Sequence, residues 1–121
     1  MKARSFSDSL RHAIAGIRLA VQRERNFRIQ ITVACVFVFV CVIFRVGLPL
    51  MAMVAFAIFF VLAMELVNTA IEAVVDLACH GKPHPLAQTA KDVAAGAVLL
   101  ASFFAIVVGI IVVADIASRY L

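Results

Sequence analysis

The 121-residue sequence has few charged residues, no tryptophan and a single tyrosine. Charged residues make up 15% of the chain, hydrophobic residues 65%, and the mean hydropathy is +1.11. A soluble domain of this size has too little interior to bury so much apolar surface, so the composition excludes an ordinary soluble protein. With so little Trp and Tyr, any aromatic belt at the membrane surfaces must be sparse.

Motifs typical of several function classes are also missing. No G-x-x-x-x-G-K-[ST] segment is present, because Gly81-Lys82 is followed by Pro83, and no soluble-kinase motif set occurs. The three cysteines form no C-x-x-C pair, and each is expected to be a small buried thiol. No small-residue cleavage site follows the first apolar segment, so we expect no cleaved signal peptide.

Three long apolar segments predict transmembrane helices, since a spanning helix needs about 20 apolar residues. The segments are 29–46, 49–77 and 91–115. Pro49 suits the first turn of the second helix, and the stretch 78–90, with its Pro and Gly residues, predicts a cytoplasmic loop. The sequence therefore predicts an all-α membrane protein that forms a single membrane domain over residues 1–121.

Residues 5–25 predict an amphipathic helix that precedes the spans. Apolar residues recur every three or four positions from Phe6 to Val21, and basic residues take the opposite side. Ser5 and Asp8 fit a capping box at its start. A basic face opposite an apolar stripe is typical of a helix on an anionic membrane surface, and it argues against a nucleic-acid partner.

The basic residues are distributed unevenly between the two ends of the predicted spans. Seven Lys and Arg residues lie in 1–28 and two in 77–92, which is nine of the eleven; the others are Arg45 and Arg119. The positive-inside rule therefore places the N-terminus and the second loop in the cytoplasm and the C-terminus outside.

A stripe of polar residues follows the apolar part of the second predicted span. Its members are Glu65, Asn68, Thr69, Glu72 and Asp76. Offsets of 3, 4, 7 and 11 place all five on one helix face. An ionisable group near the bilayer centre costs at least about 2.5–3.5 kcal/mol, so such groups usually mark function. A polar seam that joins helices is the structural alternative, but three acids would repel one another without a cation.

Depth along the helix suggests different roles for these acids. Glu65 follows about 15 apolar residues, roughly 22 Å of helix, and so lies just inside the cytoplasmic boundary of a core about 30 Å thick. It is placed to accept the proton of a membrane-embedded hydroxyl. Glu72 and Asp76 reach the boundary, where carboxylates could hold Mg²⁺ together with nucleotide phosphates. Lys91 could neutralise phosphate charge there.

Three motifs resemble those of the small bacterial integral-membrane lipid kinases, the diacylglycerol kinases and undecaprenol kinases. They are Glu-Arg-Asn-Phe-Arg at 24–28, Glu-Leu-Val-Asn-Thr-Ala-Ile-Glu-Ala-Val-Val-Asp at 65–76, and His-Pro-Leu-Ala at 84–87 with Ala-Lys-Asp-Val-Ala-Ala-Gly-Ala-Val at 90–98. The resemblance covers nearly the whole chain. It implies a homotrimer, with a surface helix and three spans per protomer, that binds ATP and Mg²⁺ at a cytoplasmic-interface site shared between protomers.

The resemblance also implies roles for individual residues. Glu65 matches the catalytic base and also contributes to substrate binding, while Glu24 and Glu72 match the metal ligands. The other expected site residues are Arg4, Arg11, Asp76, His84, Lys91 and Asp92 for ATP, and Phe27, Asn68 and Ala95 for the lipid. The loop before Lys91 is one residue longer than the usual family form, and it has Lys82-Pro83-His84 where Glu-Tyr-His is common.

These features predict an ATP-dependent lipid kinase in the bacterial cytoplasmic membrane. The motif forms at 24–28 and 90–98 favour undecaprenol as the lipid, and diacylglycerol is the alternative. Two other classes remain open: a small proton-coupled transporter with Glu65 as its proton site, and a purely structural membrane protein. Cys79, His80 and His84 form a further, weak candidate for a zinc site.

Overall fold

The computed structural model describes residues 5–121, which form four helices. The helices are α1 (Phe6–Arg23), α2 (Arg25–Ile43), α3 (Leu48–Ala78) and α4 (Pro85–Tyr120). No strand occurs within the described range. The last three helices, of 19, 31 and 36 residues, are long and apolar enough to cross a membrane. The predicted all-α membrane fold is confirmed.

Local sequence determines where two of these helices begin. At the start of α1, the Ser5 hydroxyl accepts a hydrogen bond from the backbone N–H of Asp8 at 3.2 Å, as the capping pattern predicts. At the start of α3, Gly47 is the N-cap and Pro49 lies in the first turn, where the missing N–H of proline costs no hydrogen bond.

The start of α4 differs from the sequence-based expectation. The helix begins at Pro85 rather than at 91, so the loop between α3 and α4 covers 79–84 and not 78–90. His84 is the N-cap, and its Nδ1 accepts a hydrogen bond from the backbone N–H of Leu86 at 3.1 Å. Proline is favoured at the first helical position, so Pro85 begins the helix instead of belonging to the loop.

The first span also differs in its bounds, since α2 runs from Arg25 to Ile43 whereas the sequence predicts 29–46. Its end is a tight turn in which Arg45 has a φ of 53°, and the N–H of Val46 donates to the carbonyl of Cys41 at 3.0 Å. This is the bonding pattern of a Schellman motif, which ends the helix before the apolar sequence does.

The helices pack mainly through α3 and α4, which contact each other more extensively than any other pair. The core at their centre consists of Cys41, Val54, Ala57, Val108 and Val112. Most other large apolar side chains point outward, and a bilayer would solvate them where water would not.

A polar cluster joins α2 and α4 at the end of the bundle far from Glu65. The Arg119 side chain pairs with Asp115 at 3.2 Å and donates to the backbone carbonyl of Phe44 at 2.8 Å. The Phe44 and Tyr120 rings meet edge to face with centroids 5.4 Å apart. This outer cluster (Phe44, Asp115, Arg119 and Tyr120) therefore fixes the end of α2 against α4.

Candidate active site

Glu65 faces α2, where it meets an amide that the sequence analysis did not single out. Gln30 donates from Nε2 to Glu65 Oε1 at 2.8 Å, and both side chains are half-buried. Gln30 is the only amide in a largely apolar run, and that residue was the signal available in the sequence. A hydrogen bond from an amide to a carboxylate in a low-dielectric setting fixes the orientation of the carboxylate.

A second amide, Asn68, is hydrogen-bonded to Glu72 one turn along α3. Asn68 donates from Nδ2 to Glu72 Oε1 at 3.1 Å. The carbonyl oxygens of the two amides, Gln30 Oε1 and Asn68 Oδ1, are buried and have no hydrogen-bond partner in the described structure. The nitrogen of each amide must face its carboxylate, so the oxygens point elsewhere. This region therefore has more acceptors than donors, and it suits a hydroxyl group or a cation.

Glu24 and Glu72, the expected metal ligands, line the same cleft between α1 and α3. Glu24 separates α1 from α2, and its extended backbone (φ −102°, ψ 108°) breaks the helix there. Arg28 secures this break by donating to the carbonyls of Val21 and Gln22 at 2.9 and 3.0 Å. The cleft has a volume of about 550 Å³.

The donor set of this cleft fits Mg²⁺. Magnesium prefers oxygen ligands and is usually held by one or two carboxylates together with substrate phosphates, and two carboxylates are present. Residues 5–121 contain no group of three or more His, Cys, Asp or Glu placed to hold one metal ion. The zinc candidate formed by Cys79, His80 and His84 therefore gains no support.

Three of the expected ATP residues come together at the loop between α3 and α4. Asp76, His84 and Lys91 line a single pocket of about 550 Å³. Lys91 Nζ pairs with Asp76 Oδ1 at 2.7 Å, which ties the end of α3 to the start of α4. Asp92 is exposed beside this pocket and accepts a hydrogen bond from Gln88 at 2.8 Å.

The two N-terminal arginines expected to bind ATP are not part of this grouping. Arg11 is 77% exposed on α1, and its nearest acid is Asp8 of the same helix at 3.8 Å. Arg4 lies outside the described residues. The structure therefore does not join Arg11 to the pocket around Lys91.

Two of the residues expected to bind the lipid, Phe27 and Ala95, lie in different surroundings. Phe27 is only 3% exposed and belongs to the packed interior, whereas Ala95 is exposed on α4. Neither lines the apolar groove of about 300 Å³ that α2, α3 and α4 form within the span. Gln30 and Leu62 lie at the end of that groove nearest Glu65, so the hydrogen-bonded partner of Glu65 is also a groove residue.

The sequence of residues 11–113 matches a family model described as prokaryotic diacylglycerol kinase. The chain belongs to this family. It is 41% identical over 101 residues to a diacylglycerol kinase of Synechocystis sp. (strain ATCC 27184 / PCC 6803 / Kazusa), covering 84% of this chain and 58% of that protein. It is 39% identical over 112 residues to an undecaprenol kinase of Bacillus subtilis (strain 168), covering 88% and 86%.

Family membership confirms the resemblance predicted from the motifs, and both relatives are named as lipid kinases. Together with three helices of spanning length, it indicates a protein of the bacterial inner membrane. The chain spans just over half the length of the Synechocystis relative. The two relatives have similar identities and different named lipids, so identity alone does not distinguish undecaprenol from diacylglycerol.

Proposed function

We propose that the protein transfers the γ-phosphate of ATP to the hydroxyl group of a membrane lipid, and that this lipid is undecaprenol. One observation carries the proposal. Glu65 is hydrogen-bonded to Gln30 at the cytoplasmic end of an apolar groove. A hydrocarbon chain in the groove would bring its terminal hydroxyl to a carboxylate close to the nucleotide-accessible surface.

Glu65 acts as the general base in this scheme. Its Oε1 is held by Gln30, while Oε2 accepts no hydrogen bond from residues 5–121 and is free to receive the hydroxyl proton. As the proton passes to Glu65, the lipid oxygen bonds to the γ-phosphorus, the bond from that phosphorus to the β–γ bridging oxygen breaks, and ADP leaves. Positioning and charge stabilisation supply most of the catalysis in such transfers.

The charged residues at the cytoplasmic end are assigned to the nucleotide. Glu24 and Glu72 would hold Mg²⁺, which when bound supplies positive charge to the phosphates. Lys91 adds a second positive charge, and its ion pair with Asp76 fixes the position of the ammonium group. The remaining ATP residues in the proposal are Arg4, Arg11, His84 and Asp92.

The proposed orientation places this end in the cytoplasm and the C-terminus outside. The distribution of Lys and Arg supports it. ATP is a cytoplasmic reagent, so the same orientation supplies the nucleotide to the proposed site. The proposal also assigns α1 to the membrane surface, because Phe6 and Leu10 are exposed on a helix that carries several arginines.

The proposed homotrimer is supported by a largely exposed seam on α3, three of whose members (Leu66, Ala70 and Ala73) also line the cleft between α1 and α3. Steps of four and three residues connect eight positions along one face: Ala52, Phe56, Phe59, Ala63, Leu66, Ala70, Ala73 and Leu77. All are exposed except Leu66, which is half-buried. This heptad spacing and the small side chains favour close packing between copies of α3 in a membrane, with Glu72 on an adjacent flank.

The preference for undecaprenol is supported by the composition of the groove. Gln30 and Ser102 are the only polar residues among those that line it. The free oxygen of Gln30 is an acceptor, which suits a hydroxyl donor. Both lipids present one hydroxyl donor, but a polyprenol has no ester oxygens, whereas those of diacylglycerol are acceptors for which the groove offers only the Ser102 hydroxyl and the Gln30 amide as side-chain donors.

The test is phosphorylation by the purified protein in mixed micelles, with radiolabelled ATP and with undecaprenol and diacylglycerol offered in parallel. We expect labelled undecaprenyl phosphate to exceed labelled phosphatidic acid. The reverse order would overturn the choice of lipid. Proton-driven flux in vesicles together with no lipid-dependent ATP turnover would overturn the kinase assignment in favour of a transporter.

A further inference from the structure

We propose that Gln30 is a positioning residue for Glu65, holding one carboxylate oxygen so that the other faces the substrate hydroxyl. This inference rests on the proposed function, because it assigns a role in the same reaction. Gln30 lies outside every role implied by the motifs, and the assignment depends on the geometry between α2 and α3.

The hydrogen bond between Gln30 and Glu65 connects two helices, α2 and α3. Gln30 and Glu65 are 35 residues apart, and Nε2 lies 2.8 Å from Oε1. Among side-chain pairs in the described range, only this one and the pair Lys91–Asp76 form a polar link between different helices. The Asn68–Glu72 bond, by contrast, lies within α3 and cannot set the position of α3 relative to α2.

The Gln30 amide is only partly hydrogen-bonded, whereas an amide that serves only as a structural link would have partners for both its nitrogen and its oxygen. Buried polar groups in proteins are nearly always paired, and an exception calls for an explanation. Gln30 donates a hydrogen bond from Nε2 to Glu65, and its Oε1 is buried with no partner among residues 5–121. If Gln30 served only for packing, an apolar side chain could replace it without leaving a buried acceptor unpaired.

The location of Gln30 in the apolar groove also supports this role. Gln30 lines the end of the apolar groove nearest Glu65, which is where a hydroxyl carried by a hydrocarbon chain would arrive in the proposed reaction. Gln30 thus contacts both the base and the end of the groove. A residue in this position determines where Glu65 lies relative to an incoming alcohol.

The test begins with Gln30→Met, which keeps the length of the side chain and removes the hydrogen bond. Loss of a hydrogen bond to a charged group should lower kcat by about 10- to 100-fold. The KM for Mg-ATP should stay within about twofold, since Gln30 lies outside the pocket around Lys91. The matched control is Gln22→Met on the exposed side of α1, which should retain wild-type kcat.

A double-mutant cycle with Glu65→Gln then separates positioning from a general structural role. If Gln30 acts through Glu65, adding Gln30→Met to Glu65→Gln should lower the residual kcat by less than about threefold. If the double variant instead lowers kcat by the product of the two separate reductions, the inference is wrong. If Gln30→Met does not fold, Gln30→Asn replaces it, because the shorter amide also loses the contact while remaining polar.

The two proposals fail in different ways. Absence of lipid-dependent ATP turnover in the wild-type protein contradicts the proposed function. Turnover in the wild type together with an unchanged kcat in both Gln30 variants contradicts only the role of Gln30.

Discussion

The two ends of the helical bundle differ in whether their polar side chains have hydrogen-bond partners. At the outer cluster, Arg119 contacts Asp115, the carbonyl of Phe44 and the ring of Tyr120, whose centroid lies 5.4 Å from the guanidinium carbon. At the end that contains Glu65, Gln30 and Asn68 each leave a buried oxygen with no partner in the described residues.

This difference separates structural from chemical use of polarity. A cluster in which each group has a partner contributes to stability and requires no ligand. A region with excess acceptors is stable only because the rest of the fold supports it, and it gains partners when a hydroxyl, a cation or a phosphate-bound metal arrives. Substitutions at the two ends should therefore affect different measurements.

The largest effect is expected for Glu65→Gln, which keeps the volume of the side chain and removes its capacity to accept a proton. Phosphoryl transfer should fall by roughly 10²–10⁴, the usual contribution of general base catalysis, with little change in Mg-ATP affinity. Turnover and nucleotide binding should be measured in the same detergent. Turnover within a few fold of wild type, or loss of Mg-ATP binding along with turnover, would contradict the assignment of the base.

Glu24→Gln and Glu72→Gln should each raise the Mg²⁺ concentration needed for half-maximal activity, by about tenfold or more, because each removes a charged oxygen ligand. Both variants should remain folded, since neither side chain belongs to the core. The measurement is a Mg²⁺ titration of activity at saturating ATP and lipid. Identical titration curves for wild type and both variants would remove the metal assignment.

Lys91→Met should weaken nucleotide binding without affecting the lipid. The ion pair with Asp76 is partly exposed and contributes little to stability on its own, so the main loss is the positive charge near the phosphates. We expect the KM for ATP to rise by about 5- to 20-fold, with an unchanged KM for the lipid. Asp76→Asn keeps the lysine and serves as the comparison. A larger change in the lipid KM than in the ATP KM would be inconsistent with this role.

The smallest effect on activity is expected at the outer cluster. Arg119→Met removes the contacts to Asp115 and to the carbonyl of Phe44, and should lower the free energy of unfolding by about 1 kcal/mol, because the side chain is partly exposed. Turnover below the unfolding temperature should match the wild type. A thermal unfolding scan and an activity assay on one preparation provide both values, and a loss of turnover with unchanged stability would contradict the comparison.

Sequence patterns predicted the features that depend on local order. Ser5 and Pro49 occupy the starts of helices as expected. The pairing of Glu24 with Glu72 came instead from the motif resemblance, and the two residues line one cleft although they are 48 residues apart. Periodicity along α3 was enough to identify the polar stripe, because helix geometry alone determines which residues share a face.

The remaining features depend on how helices pack against one another. Gln30 is a single amide in an apolar run, and only the position of α2 beside α3 shows that it contacts Glu65. The burial of Phe27 and the exposed position of Arg11 are also tertiary features. A motif resemblance gives a residue a role but does not determine its surroundings in this chain.

The most direct test of the account measures Glu65→Gln and Arg119→Met side by side in one micelle system, recording lipid-dependent ATP turnover and the free energy of unfolding for each. We expect a crossed result: Glu65→Gln loses turnover by roughly 10²-fold or more while keeping its stability, and Arg119→Met loses stability while keeping turnover. A parallel loss of turnover and stability in both variants would show that the two ends do not differ in function, and it would contradict the account.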